Sequence, residues 1–350
     1  MNTQIKRLPV TILTGFLGSG KTTLLNRLLK EAHGKRIAVI ENEFGEVSID
    51  DALLAENTQP IMKVSNGCLC CTVNGDLVKT LEDLIERREE FDYVVVETTG
   101  VANPAPVVQT FLMNEEINDA FEIDAVITLV DAKHLELHIG SKECKDQIAF
   151  ADIVILNKID LVEASSVDDV EHSVRKLNAL ATIHRTQRSE LALDAILDQG
   201  AFGKIAIEEE RDHDHNHDHD QEHDHDHAHN CDDHDCHARD HEHNGHLHAH
   251  SHDEDVSSVG IELSGSLDAA RFNKWFGDLI RAEGDNLYRC KGILSIAEKP
   301  ERVILQAVHR VTESTKGAPW GADERVIKLV FIGKHLKRSD LLAGVQSCLA

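Results

Sequence analysis

The run Gly15-Phe16-Leu17-Gly18-Ser19-Gly20-Lys21-Thr22 constrains this chain more than any other feature, because it satisfies the pattern G-x-x-x-x-G-K-[ST] without a mismatch. The apolar run Val10–Leu13 before it is short enough for a buried strand, and Thr23–Leu29 after it carries leucines at helical spacing. Strand, glycine loop and helix start stand in the order a phosphate-binding loop requires. The backbone N–H groups of Gly18, Ser19, Gly20 and Lys21 would converge on phosphate oxygens at the helix N-terminus, where the helix dipole also favours an anion. Lys21 would bridge the terminal phosphates, and the Thr22 hydroxyl would complete the coordination of Mg²⁺. Gly15 and Thr23 complete the loop residues assigned to the nucleotide, and Lys21 and Thr22 are also assigned to catalysis. A plain glycine turn between strand and helix is the weaker alternative.

The base is read from Asn157-Lys158-Ile159-Asp160, directly after the apolar run Ile153–Leu156 and about 135 residues beyond the loop. A carboxylate held at a strand end accepts from two adjacent donors on the guanine edge, and adenine offers no matching pair. Asn157, Lys158 and Asp160 are therefore assigned to a guanine nucleotide, GTP. The alternative is a polar turn capping the next helix.

At 350 residues the chain exceeds what one core usually holds, which predicts two domains. Its formal charge of −26 argues against a nucleic-acid partner. The charge is uneven: Glu208–Asp255 holds eighteen Asp or Glu against two Arg, a net of −16, leaving −10 for the rest. No apolar run approaches the roughly 20 residues that cross a bilayer, so no membrane partner is expected. The start MNTQIKRLPVTILTGFLG has the basic-then-apolar order of a leader, but the apolar part is accounted for by the first strand, and a mature cytoplasmic protein is expected. Eight cysteines, three of them within four positions, suit metal or thiol chemistry in a reducing compartment better than a disulfide framework.

Strand-like runs at 10–13, 37–40, 61–64, 93–96, 125–130 and 153–156 alternate with helix-like stretches such as Leu77–Arg88, whose Leu77, Leu81, Leu84 and Ile85 form one stripe. This predicts a mostly parallel sheet covered by helices on both faces, with ligands at the C-terminal strand edges. From Asp212 to His252, sixteen of the 23 histidines are interleaved with Asp and Glu, a composition that cannot offset its ordering entropy. A disordered insert is expected at 208–257, between a GTPase domain at 1–207 and a smaller C-terminal α+β domain at 258–350. The last region carries strand-like runs at 259–263, 292–296, 303–308 and 326–332, with helices at 267–282 and 339–349, predicting an antiparallel sheet with helices on one face.

Cys68-Leu69-Cys70-Cys71, beside a Ser65-Asn66-Gly67 turn, offers two or three sulfur ligands to one soft ion, zinc first. Three buried cysteines packing as small hydrophobes is the alternative. The spacing lacks the second ligand pair of a closed zinc finger, so an open, exchangeable site is expected. The insert reads as a metal-collecting tail for Zn²⁺, Ni²⁺, Co²⁺ or Cu²⁺, as a pH-sensitive linker, or as one tighter site at Cys231, His234, Cys236 and His237.

TGFLGSGKTTLLN, ENEFGE at 41–46, the Cys-x-Cys-Cys cluster, ETTG at 97–100 and NKID together resemble, in order and spacing, the CobW-like P-loop GTPases, a family that includes zinc metallochaperones. YRCKGIL at 288–294 and GAPWG at 317–321 resemble that family's second domain, so the resemblance covers nearly everything except the insert. The resemblance implies slow GTP hydrolysis coupled to a transition-metal site that takes Zn²⁺, with Co²⁺ or Ni²⁺ as alternatives. It implies that Glu41, Glu46 and Cys70 are metal ligands, with Cys68 and Cys71 as additional or alternative donors, and that ETTG senses the terminal phosphate. Glu97, assigned to catalysis with Lys21 and Thr22, is then expected to reach Mg²⁺ through water, and Gly100 to present its N–H to the γ-phosphate. A client metalloprotein is the implied partner, and self-association into a homo-oligomer is left open. Two other classes compete: a metal buffer whose loop is a regulatory switch, and a small-molecule kinase, for which no substrate pocket or base is evident.

Overall fold

Near-continuous apolar strands alternating with amphipathic helices can bury both faces of a sheet only by winding it in parallel. A computed structural model of the chain describes residues 6–31, 34–42, 73–203 and 256–350, and there the strands β1 (Leu8–Gly15), β2 (Ile37–Asn42), β3 (Tyr93–Thr98), β4 (Phe121–Asp131), β5 (Ile153–Asn157) and β6 (Thr182–Arg185) form one sheet. Its order is β2-β3-β1-β4-β5-β6, parallel throughout, so every strand ends on the same edge. Among the described residues, seven α-helices accompany it: α1 (Lys21–Lys30), α2 (Val73–Glu86), α3 (Ala105–Met113), α4 (Glu115–Ala120), α5 (Leu135–His138), α6 (Lys142–Phe150) and α7 (Ala164–Leu177). Leu24, Leu25, Leu28 and Leu29 of α1 are buried with Leu13, Val39 and Ile127 on one side of the sheet, while Leu77, Leu81 and Leu84 of α2 join Ile12, Ala38 and Val96 on the other. The predicted strand at 61–64 and residues 208–255 of the predicted insert lie outside the described residues, while Val256 and Ser257, the last two positions assigned to the insert, belong to β7.

β6 is absent from the sequence expectation. It has four residues, none of them buried, and so lacks an apolar run to read. The loop after it carries part of the site.

The remaining chain folds as an antiparallel sheet in the order β10-β9-β8-β11-β7, from β7 (Val256–Ser264), β8 (Leu287–Leu294), β9 (Glu301–Val308), β10 (Val311–Pro319) and β11 (Val326–Lys334), with helices α8 (Ala269–Glu283) and α9 (Arg338–Gln346). Asp268 caps α8, its carboxylate accepting from the Arg271 amide at 2.8 Å, and Phe272, Phe276 and Ile280 turn inward from that helix. β8 begins at Leu287 rather than near 292, because its charged residues Arg289 and Lys291 are buried, contrary to the ordinary habit of their type. β10 was also unexpected, since most of its residues are exposed and an edge strand needs no apolar face.

The two sheets share one compact unit. Val256, Tyr288, Val308 and Ile332 of the second sheet pack in the same apolar cluster as Phe150 and Ile148 of α6. Asp152, just before β5, is 5% exposed and accepts from Lys291 at 2.6 Å, from Arg289, and from the Val126 amide at 2.8 Å. Burial works to raise the Asp152 carboxyl, but the two cations overcome it and hold the group below the usual range. No helix among the described residues is long and apolar enough to cross a membrane.

Candidate functional site

Gly15, Gly18 and Gly20 adopt φ values of 140°, 75° and 113°, a succession that only glycine takes without strain. A side chain at Gly15 would strike the Leu129 carbonyl, and one at Gly20 would meet the Asn157 amide and the Ser189 hydroxyl. Between them the loop turns tightly, with the Ser19 amide on the Phe16 carbonyl at 3.1 Å, and α1 starts at Lys21 with no side-chain cap. An uncapped helix start leaves its first amides for another acceptor, which suits an anion. The Lys21 ammonium is folded into the concave side of the loop, 2.7 Å from the Gly15 carbonyl and 3.4 Å from that of Phe16. Thr22 is half-buried at the helix start and Thr23 is exposed. The Ser19 hydroxyl is buried with no hydrogen-bond partner among the described residues, and so is that of Thr99, in the segment that follows β3. Buried hydroxyls without partners are costly, so both are open to a group brought by a ligand.

Glu97, the fifth residue of β3, is half-buried and stands in register with Leu13 of β1 and with Glu41 of β2. Thr98 ties the same strand end to β1, donating to the Thr14 hydroxyl at 2.9 Å. Beyond it the chain turns at Thr99–Ala102, closed by the Ala102 amide on the Thr99 carbonyl at 3.0 Å. A side chain at Gly100 would collide with Leu17, so this turn is pressed against the phosphate loop. Glu41 belongs to the final residues of β2, next to that turn in strand order. Glu46, Cys68, Cys70 and Cys71 lie outside the described residues. Among those described, no three His, Cys, Asp or Glu residues come together as a metal site. The described thiols Cys144, Cys290 and Cys348 are buried, and burial pushes the Cys144 thiol up to about 11 and raises that of Cys290 further. Groups kept protonated in this way do not serve as thiolate ligands.

Asn157 is 2% exposed and acts as a rivet between the base side and the loop. Its Nδ2 donates to the Ser19 carbonyl at 2.9 Å and to the Ser189 hydroxyl at 3.0 Å, while its Oδ1 accepts from the Ser189 amide at 2.8 Å and from Thr186 Oγ1 at 3.2 Å. Lys158, left-handed at φ 61°, sends its ammonium to Asp131 at 2.8 Å. Burial works to raise the Asp131 carboxyl, but hydrogen bonds from Lys158 and His134 outweigh it and hold the group below its ordinary value. Asp160 is exposed in a short 3-10 turn, Ile159–Leu161, beyond the strand edge.

Several of these residues escaped sequence reasoning. Thr186 and Ser189 follow the unpredicted β6, where Arg188 and Ser189 are both left-handed. Arg27 of α1 reaches the same loop, donating to the Ser189 carbonyl at 2.6 Å. Asp131 ends β4 in register with Asn157, and Gln147 of α6 is 1% exposed beneath the Gly100 turn. The usable signal was positional: a polar residue directly after a strand of a parallel sheet lies at the ligand edge.

Comparison with known proteins bears on this geometry. The sequence pattern of the CobW/HypB/UreG nucleotide-binding domain matches residues 9–185, and that of the cobalamin synthesis protein cobW C-terminal domain matches 256–349. The chain is 32% identical over 340 residues to the zinc chaperone YjiA of Escherichia coli, covering 96% of each chain. It is 33% identical over 383 residues to the zinc chaperone CobW of Pseudomonas aeruginosa, covering 99% of this chain and 92% of the relative. The crystal structure of Zn(II)-bound YjiA GTPase superposes with a TM-score of 0.71 at 28% identity, over 99% of this chain and 100% of that one.

Proposed function

The chain belongs to the CobW/HypB/UreG family and is a P-loop GTPase, and we propose that it is a metallochaperone that couples transfer of a transition metal, zinc first, to its GTP cycle. One observation carries the coupling: Glu41 on β2 is the register partner of Glu97 on β3, and adjacent strands lie about 4.8 Å apart. A metal held from Glu41 onward, by Glu46, Cys70 and the neighbouring thiols Cys68 and Cys71, would share its support with the strand that faces the terminal phosphate.

In this reading the amides of Gly18 to Lys21 hold the phosphates, Lys21 stabilises charge on the γ-phosphoryl group, and Gly100 donates its N–H to it. Thr22 and, through water, Glu97 would hold Mg²⁺, which when bound neutralises charge on the β- and γ-phosphates. Asp160 reads guanine, Lys158 lies along the base site, and Asn157 fixes both to the loop. Loss of the γ-phosphate takes away the acceptor of the Gly100 N–H, and the metal-bearing segment loses part of its support. A client metalloprotein in a reducing, cytoplasmic setting receives the ion. A metal store is the second reading, favoured by the sixteen histidines between 212 and 252.

The test uses Co²⁺ on a variant lacking 212–252, whose imidazoles would otherwise mask the site. A thiolate-to-metal absorption band is expected, lost in Cys70→Ala and weakened in Glu41→Ala and Glu46→Ala. GTP is expected to turn over faster with metal present and faster than ATP. A cobalt spectrum unchanged by Cys70→Ala removes the proposed ligand set, and GTP turnover indifferent to metal favours the store.

A further inference from the structure

We propose that Gln147 is a positioning residue for GTP hydrolysis, its buried amide clamping the Thr99–Ala102 turn so that the Gly100 N–H is held toward the terminal phosphate; the proposal rests on the reading that Gly100 faces that phosphate. Gln147 Nε2 donates to the Gly100 carbonyl at 3.2 Å and to the Ala102 carbonyl at 3.1 Å. Both amide hydrogens are used, each on a different corner of one four-residue turn. The Gly100 N–H shares a rigid peptide plane with the Thr99 carbonyl, and that carbonyl is fixed by the Ala102 amide at 3.0 Å. Holding the Ala102 carbonyl therefore holds the residue whose amide sets the Gly100 plane. Leu17 packs against the Gly100 Cα and leaves no room there for a side chain.

The clamp is itself anchored. The Thr128 hydroxyl of β4 donates to the Gln147 carbonyl at 2.7 Å, so the helix turn bearing the amide is fastened to the strand beside β1. The preceding residue, Asp146, accepts from the Asn103 amide group at 3.2 Å, and Asn103 Oδ1 in turn accepts from the Ala105 amide at 2.8 Å, tying the exit of the turn to the start of α3. Two consecutive side chains of α6 thus hold the segment at three points. A buried glutamine with both donors spent on a loop is an expensive way to fill space, since leucine or methionine would do so without polar groups to satisfy. Its use here is intelligible where the loop must stay within a fraction of an ångström, because misplacing a reacting group by about 1 Å costs on the order of 100-fold in rate.

Gln147→Met keeps length and volume and removes both donors, leaving the Thr128 bond to the main chain in place. It is expected to lower kcat for GTP by about tenfold or more with KM changed less than about threefold, and to leave GDP affinity unaltered. Amide hydrogen exchange across 97–105 should be slowed by a non-hydrolysable GTP analogue relative to GDP in the native chain, and much less so in the variant. Gln147→Asn, which keeps the amide but falls short of both carbonyls, replaces it if the methionine variant melts early, with the same expectation. Exchange that is identical in the GDP and analogue states of the native chain defeats the Gly100 reading itself. A native chain that responds to the analogue, beside a folded variant with native kcat and the same response, overturns the role of Gln147 alone.

Discussion

At the edge where β4 and β5 begin, buried polar groups are saturated. Asp124 accepts from the Tyr93 hydroxyl and from the amides of Gln199 and Gly200, and Asp152 accepts from Arg289, Lys291 and the Val126 amide. At the opposite edge, where the same strands end, the loop is built from left-handed glycines, and the hydroxyls of Ser19 and Thr99 are buried without partners among the described residues. The parallel sheet thus has one end closed by groups from the second sheet and from the loop after β6, and keeps the other for a ligand. The difference follows from chain direction: helix N-termini and strand C-termini meet at a single edge of a parallel sheet, and amides accumulate there.

Exchanging the character of the two edges should separate function from stability. The largest effect is expected from Lys21→Ala, which should lower GTP hydrolysis by about 100-fold or more by removing the charge proposed to stabilise the γ-phosphoryl group. Its melting temperature should fall by much less than that of Asp152→Ala, since the hydrogen bonds it loses to the Gly15 and Phe16 carbonyls are to uncharged groups, checked by calorimetry beside steady-state turnover.

At the closed edge the expectation reverses. Asp152→Ala strands two buried cations and should cost about 3–5 kcal/mol by urea denaturation, while nucleotide affinity is kept. Lys291→Met leaves a neutral Asp152–Arg289 pair and should cost far less, or stabilise. Burial holds the Lys291 ammonium down to about 8, below its ordinary 10.5. The folded chain therefore gives up this proton more readily than the unfolded one. The burden of the ammonium is full below about pH 8 and is relieved as pH rises toward about 10.5, so any gain from Lys291→Met should be largest near neutral pH and fade above that window. Urea midpoints at pH 7 and pH 10 check the sign.

A smaller change is expected from Asp160→Asn, which alters one exposed carboxylate at the ligand edge. Preference for GTP over ATP should fall by about ten- to a hundredfold, with folding untouched. Competition between the two nucleotides for the native and variant chains measures it.

The ligand edge was more legible in the sequence than the closed one, and for a physical reason. A phosphate loop needs glycines, a lysine and a threonine at fixed spacing, so its chemistry is written in consecutive residues. Asp124, Asp152, Arg289 and Lys291 are ordinary charged residues until distant segments bring them together. Nothing local separates them from solvated surface. Gln147 is hidden in the same way, within the polar run KECKDQ of α6, where periodicity places no signal on a buried amide. β6 and β10 were missed because sheet pairing, rather than an apolar run, makes them strands. The reading of Glu41, Glu46 and the Cys68–Cys71 cluster as ligands rests on the resemblance, since apart from the Glu41 backbone these residues lie outside those described.

The most direct test of the account is a Zn²⁺ titration of the chain lacking 212–252 in its nucleotide-free, GDP-bound and GTP-analogue-bound states. Coupling predicts a zinc affinity that differs by about fivefold or more between the GDP and analogue states, with zinc changing the ratio of the two nucleotide affinities by the same factor. Equal zinc affinity in all three states would contradict a nucleotide-gated metal site and leave a GTPase that merely stores metal.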